Sequence, residues 1–200
     1  HPHPKQTMKS ERALDYYFCD ETGIEVFYYS YDHPHTAENY KLWTSLLAQG
    51  KRIWACAGGD KHRCASDGAL TTVYAKNKKS SSLLAHIKKG DFVCGGVGIR
   101  MCIGDTLMGG MTDFLNKNLN VAVGDFHKRY YEEGHRYRFD LIDETGTVAS
   151  LPFACKNPFS FNFRVNPEAR FYRVEIFDET RGFRIAIGNP IWNSKYLSQG

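Results

Sequence analysis

A carboxylate and an imidazole two residues apart, Asp60 and His62, close the segment Ile53-Trp54-Ala55-Cys56-Ala57-Gly58-Gly59-Asp60-Lys61-His62. On an extended backbone, residues two apart point to the same side, so both side chains reach one pocket. Glycine removes the Cβ atoms that would keep an ion or substrate away. Carboxylate oxygen and imidazole nitrogen together are the donors of a divalent metal site. The competing assignment is an aspartate that caps the next turn beside a surface histidine. Lys61 and Arg63 flank the pair and suit the oxygens of a phosphoryl group, or else a solvated loop.

Two more imidazoles open the chain in His1-Pro2-His3-Pro4, as ligands, as loop residues or as the remnant of a tag. His33-Pro34-His35 repeats the theme but precedes a helical pattern, and it is read as the cap region. Glu25 stands between Ile24 and Val26, where a carboxylate either faces solvent or points into a polar interior with a partner.

Other chemistries find less support. Gly95, Gly96 and Gly98 are followed by no Lys-Ser or Lys-Thr and meet no dinucleotide spacing, so they read as a turn. No serine lies in a GxSxG elbow. Cys56 and Cys64 with His62 are set aside as a zinc cluster because Cys56 sits inside the apolar run. The six cysteines show no CxxC pair and read as reduced residues of a cytoplasmic protein. The net charge of +4 comes from scattered residues and one short run at Lys76, Lys78 and Lys79, which is no nucleic-acid footprint. No apolar run has the length of a membrane span. A hydrophobic fraction of 42% fills a sizeable core.

The elements that must position Asp60 and His62 alternate in type. Gly23 to Tyr29 is rich in β-branched and aromatic residues and reads as a strand. Thr36 offers a cap, and Tyr40, Trp43, Leu46 and Leu47 recur at helical spacing before Gly50. Strands at Arg52 to Ala57 and Leu70 to Lys76 follow, then a helix from Leu83 to Lys89 that Gly90 ends. Such βαβα order predicts parallel strands with functional loops at their C-terminal ends, where Asp60 and His62 fall. After Gly98 the pattern turns to short alternating segments. Tyr137 to Ile142 and Tyr172 to Phe177 each run into an Asp-Glu-Thr turn, which predicts two similar hairpins of one antiparallel sheet. The aromatic residues Phe153, Phe159, Phe161 and Phe163 read as a sheet face before they read as a carbohydrate platform.

Taken in order, His1-Pro2, Gly23-Ile24-Glu25-Val26, Leu42-Trp43, Leu46 to Arg52, Gly58 to His62, Thr71 to Ala75 and Ile87 to Gly90 resemble the C-terminal half of a PHP domain, the polymerase and histidinol phosphatase family of metal-dependent phosphoesterases. Ala186 to Ile191 is similar to the closing strand of the β-sandwich tail in a bacterial subgroup that includes carbamate-ester hydrolases. The resemblance implies the C-terminal part of a distorted (β/α)7 barrel over residues 1–98, followed by a small antiparallel β-sandwich over 99–200. It implies two or three divalent ions, manganese, iron or zinc, with Asp60 and His62 as the last ligand pair and His1 as the histidine of the His-Pro motif. His3 is the alternative to His1, and Glu25 lies at a position near the family's site. Apart from His1-Pro2-His3 and His33-Pro34-His35, read as a His-Pro motif and a helix cap, no segment offers the family's opening HxH motif, and its threonine-aspartate-histidine segment does not occur here. The chain is therefore expected to be a fragment, inactive alone, whose partners are a small phosphoester substrate and either the missing N-terminal half of the barrel or a second copy, with no nucleic acid and no membrane. The expected reaction is hydrolysis by a metal-activated water. A carbamate, ester or amide as the electrophile, or a non-catalytic binding module built on the β-sandwich, are the alternatives.

Overall fold

The computed structural model describes residues 23–60, 68–124, 132–154 and 159–196. Alternating apolar residues extend Gly23–Tyr28 as β1, with Val26 and Phe27 fully buried. The chain then enters α1, Pro34–Ala48, through a cap made by His33, whose Nδ1 accepts the His35 backbone N–H at 3.2 Å. Pro34 fits there because the first helical turn has no use for its missing N–H. Trp43, Leu46 and Leu47 on one side of α1 join Ile24, Val26, Ile53 and Ala55 in a common core. That packing returns the chain to β2, Trp54–Gly58, parallel to β1, with Gly23 opposite Trp54 and Tyr28 opposite Gly58.

The βαβ pattern stops there. β3 (Thr71–Val73) and β4 (Phe92–Gly95) pair antiparallel with each other, although α2 (Ser80–Lys89) lies between them in sequence. A crossover helix holds parallel strands by burying an apolar face on the sheet. α2 has no buried residue, and Leu84 and Ile87 are 54% and 38% exposed. The distorted (β/α)7 barrel expected over residues 1–98 is thus overturned: among the described residues there are only two α-helices, and antiparallel pairing dominates.

The remaining strands are β5 (Gly98–Ile103), β6 (Thr106–Leu107), β7 (Met111–Thr112), β8 (Asn118–Gly124), β9 (Tyr137–Asp143), β10 (Gly146–Phe153), β11 (Phe159–Arg164), β12 (Phe171–Asp178), β13 (Phe183–Gly188) and β14 (Ile191–Asn193). An eight-stranded sheet runs β10-β9-β12-β13-β4-β3, with β14 and β7 attached beside β12, so strands from both sides of residue 98 share it. The hairpins β9–β10 and β12–β13 lie in this one sheet. Each turn is closed by its aspartate: Asp143 accepts from the Thr145 N–H at 2.7 Å, and Asp178 from the Arg181 N–H at 2.9 Å. A four-stranded antiparallel sheet, β11-β8-β5-β6, packs against one face of the large sheet. Phe139 meets Phe159 and Phe161 across that interface at ring separations of 5.3 and 5.1 Å.

The large sheet is covered on its other face too. Along β12, Tyr172, Val174 and Ile176 enter the inter-sheet core, while Phe171, Arg173 and Glu175 alternate to the side of α1. Asn189 pins the layers: its Oδ1 accepts from the Ala55 N–H of β2 at 2.8 Å, and its Nδ2 donates to the carbonyls of Gly90 and Phe92. Among the described residues no helix is long and apolar enough to cross a membrane.

Candidate functional site

Parallel pairing of β1 and β2 brings their C-terminal ends together. Tyr28 ends β1 opposite Gly58, and Asp60 follows two residues later. The Tyr28 hydroxyl donates to Asp60 Oδ2 at 2.7 Å, which fixes the direction of that carboxylate. The bond to Asp60 raises the phenol's pKa, so Tyr28 keeps its proton at neutral pH. Asp60 takes a left-handed backbone, φ 42°, which costs a non-glycine residue about 1–2 kcal/mol. Such conformations cluster at functional sites.

Glu25 joins them from the middle of β1. A Cβ built on Gly58 would lie 1.8 Å from Glu25 Oε1, so the room cleared by this glycine is filled by a carboxylate reaching across from the paired strand. Burial, and after it the charge of Asp60, raises the Glu25 pKa. Two carboxylates within electrostatic reach, one of them half-buried, are the arrangement that a divalent cation relieves. Their oxygens are hard donors and fit such an ion as part of a ligand set. Among the described residues there is no group of three or more histidines, cysteines, aspartates and glutamates placed to hold a metal.

The structure therefore unites Asp60 with Glu25, the lesser of the two in the sequence reading. His1, His3, Lys61, His62 and Arg63 lie outside the described residues. Sequence reasoning missed Tyr28 because a tyrosine in an aromatic strand carries no signal of a polar partner 32 positions away. It treated His33 as a cap, which it is, yet the same ring lies 5.0 Å edge-on to Tyr28 and so borders the site.

The raised Glu25 pKa has a consequence for stability. Below the unfolded-state value both states hold the proton and nothing is lost. As pH rises past it, the unfolded chain releases a proton that the native state retains, and stability falls until the native value is passed. Glu25→Gln should therefore raise the unfolding midpoint at pH 7 and leave it unchanged at pH 3, as followed by circular dichroism. A loss of stability at pH 7 would contradict the assigned burial. Gly58→Ala should displace the Glu25 carboxyl while retaining the fold, because the clashing atom is the free end of a side chain.

Compared with family models, with curated proteins and with solved structures, the chain matches none of them.

Proposed function

We propose that the protein is a divalent-metal-dependent hydrolase that acts on a phosphoester, with Glu25 and Asp60 among its metal ligands. The observation that carries this reading is that the Glu25 carboxylate reaches across to Gly58, the last residue of β2, within electrostatic reach of Asp60 two residues further on. The resemblance of Gly58 to His62 to the phosphoesterase motif supports it as well, with His62 and either His1 or His3 completing the ligand set. When bound, the ions supply a water whose pKa is lowered towards neutrality and a positive charge for the phosphoryl oxygens.

The chain's own groups have distinct tasks. Tyr28 holds Asp60 in one orientation through the hydrogen bond that its hydroxyl donates to Oδ2. Burial raises the Glu25 pKa by penalising its ionised form, and a bound cation would offset that cost. Lys61 and Arg63 are assigned to the phosphoryl oxygens.

Hydrolysis of p-nitrophenyl phosphate by the intact protein with manganese, iron or zinc tests the reading. Asp60→Asn is expected to lower the rate by at least about 100-fold with an unchanged circular dichroism spectrum. Undiminished turnover in that variant, or no metal-dependent hydrolysis with any of the three ions, would refute it. Parallel assays with p-nitrophenyl acetate and an aryl carbamate decide the electrophile, since the same activated water serves each.

A further inference from the structure

A cavity of about 350 Å³ lies between the first turn of α1 and the β12–β13 hairpin, within the range of small-molecule sites. Its walls are aromatic, with Phe27, Phe177 and Phe183 among them, and its polar groups include Arg184, Tyr40 and His33. His33 is shared with the candidate site, since its ring touches Tyr28, whose hydroxyl is bound to Asp60. His33 and Tyr28 thus link the cavity wall to Asp60.

Beneath the cavity lies a buried network that packing alone does not explain. Glu175, 1% exposed, accepts from Arg173 Nε at 3.0 Å, from the Tyr40 hydroxyl at 2.7 Å and, at its other oxygen, from Arg184 Nε. Two guanidinium groups share a single carboxylate. Arg173, also 1% exposed, leaves its Nη1 without a hydrogen-bond partner among the described residues. Exchanging buried ion networks for apolar residues is often neutral or stabilising, so stability is a weak reason to keep one. What this network does is hold Arg184 against the Tyr40 ring, 3.8 Å from guanidinium carbon to centroid, at the cavity wall.

The other charges nearby do not cancel the excess. Arg181 also lines the cavity but is matched by the buried Asp178 at 2.7 Å, and Asp178 also binds His135. Glu132, which pairs with Arg181, is 55% exposed, and Asp32 stands exposed at the rim, so both are screened by water. Arg173, buried, and Arg184 and Arg181, partly exposed, face the two buried carboxylates Glu175 and Asp178, so the guanidinium groups outnumber those carboxylates by one beside an aromatic cavity.

We infer that this cavity binds a small organic acid, with its carboxylate or phosphate on Arg184 and its apolar body against Phe177 and Phe183. Resting on the hydrolase reading, that acid is the part of the substrate distant from the labile bond, which reaches past His33 to Asp60. A preorganised guanidinium of this kind orients one end of a substrate while the other end reacts.

Phenyl phosphate and phenylacetate are the probes, titrated calorimetrically into the chain in EDTA so that no metal takes part, with benzyl alcohol as the neutral control. At least one anion is expected to bind while benzyl alcohol does not; which anion binds tells phosphate from carboxylate. Arg184→Gln should weaken binding at least tenfold. Ala37→Trp, at an exposed position of α1 that lines the cavity, should do the same by filling it and does not disturb the buried network. Asp60→Asn should leave binding unchanged. The inference is overturned if neither anion binds, if benzyl alcohol binds equally, if both cavity variants bind as the native chain does, or if Asp60→Asn weakens binding as much as they do. Binding that follows this pattern in a protein with no metal-dependent hydrolysis would leave the cavity assigned and the hydrolase reading refuted.

Discussion

Glu175→Ala is expected to destabilise the protein by about 3–5 kcal/mol, the cost of leaving a buried charge without its partner. The substitution removes the acceptor of three hydrogen bonds at once. Arg184 can turn its head to water, being 35% exposed on its side chain, but Arg173 cannot. It is enclosed by Trp43, Tyr40 and Phe171, with guanidinium-to-ring distances of 4.8, 5.8 and 5.8 Å. Those ring contacts attract a cation without replacing its hydrogen bonds. Removal of both charges in Arg173→Met with Glu175→Met should therefore cost less than Glu175→Ala alone, although it deletes more polar contacts. Urea unfolding of the three proteins measures the difference. A single variant within about 1 kcal/mol of the native chain would show that the network is more hydrated than its burial indicates.

Gly109→Ala is the second large effect, about 4 kcal/mol or more, near the upper end for single substitutions. Gly109 adopts φ +78°, and a Cβ there would lie 1.9 Å from the carbonyl oxygen of Lys89 and 2.6 Å from the Cα of Gly90. Both obstacles are backbone at the C-terminal cap of α2, where Gly90 itself has φ +75°. Neither can retreat alone, because the Gly90 carbonyl is held by Asn189 and the Gly109 N–H donates to Pro190 at 3.0 Å. Gly50→Ala is the control: its φ is +83°, yet nothing lies within 4 Å of the added atom. It should cost only the left-handed backbone penalty of about 1–2 kcal/mol. Equal melting temperatures for the two variants would show that the clash is relieved by movement of the loop around Gly109.

Local order was legible in the residues. α1 was announced by Tyr40, Trp43, Leu46 and Leu47, α2 by its closing Gly90, and the hairpin turns by their aspartates and glycines, because each signal acts over one or two turns of chain. The barrel was not legible. A strand-helix-strand order fits a parallel crossover and an antiparallel pair alike until the helix is seen to bury a face or leave it open, and α2 leaves Leu84 and Ile87 exposed. At the site, the Asp60–His62 spacing named Asp60 as a candidate, whereas Glu25 stayed ambiguous between solvent and interior because its direction depends on the paired strand.

By itself the sequence determined the type and order of the first strands and helices, and which side chains could act as oxygen donors, since dihedral preference and apolar period are properties of short stretches of chain. Only the tertiary structure decided that Gly58 yields its space to Glu25, that Tyr28 holds Asp60, and that Arg173 and Arg184 share Glu175 beneath an aromatic cavity. Apart from Arg173 and Glu175, which stand two positions apart, those pairings join residues at least 9 positions apart, 32 for Tyr28 and Asp60. Whether they form rests on the layers that enclose them and on the cost of burying a charge without its partner.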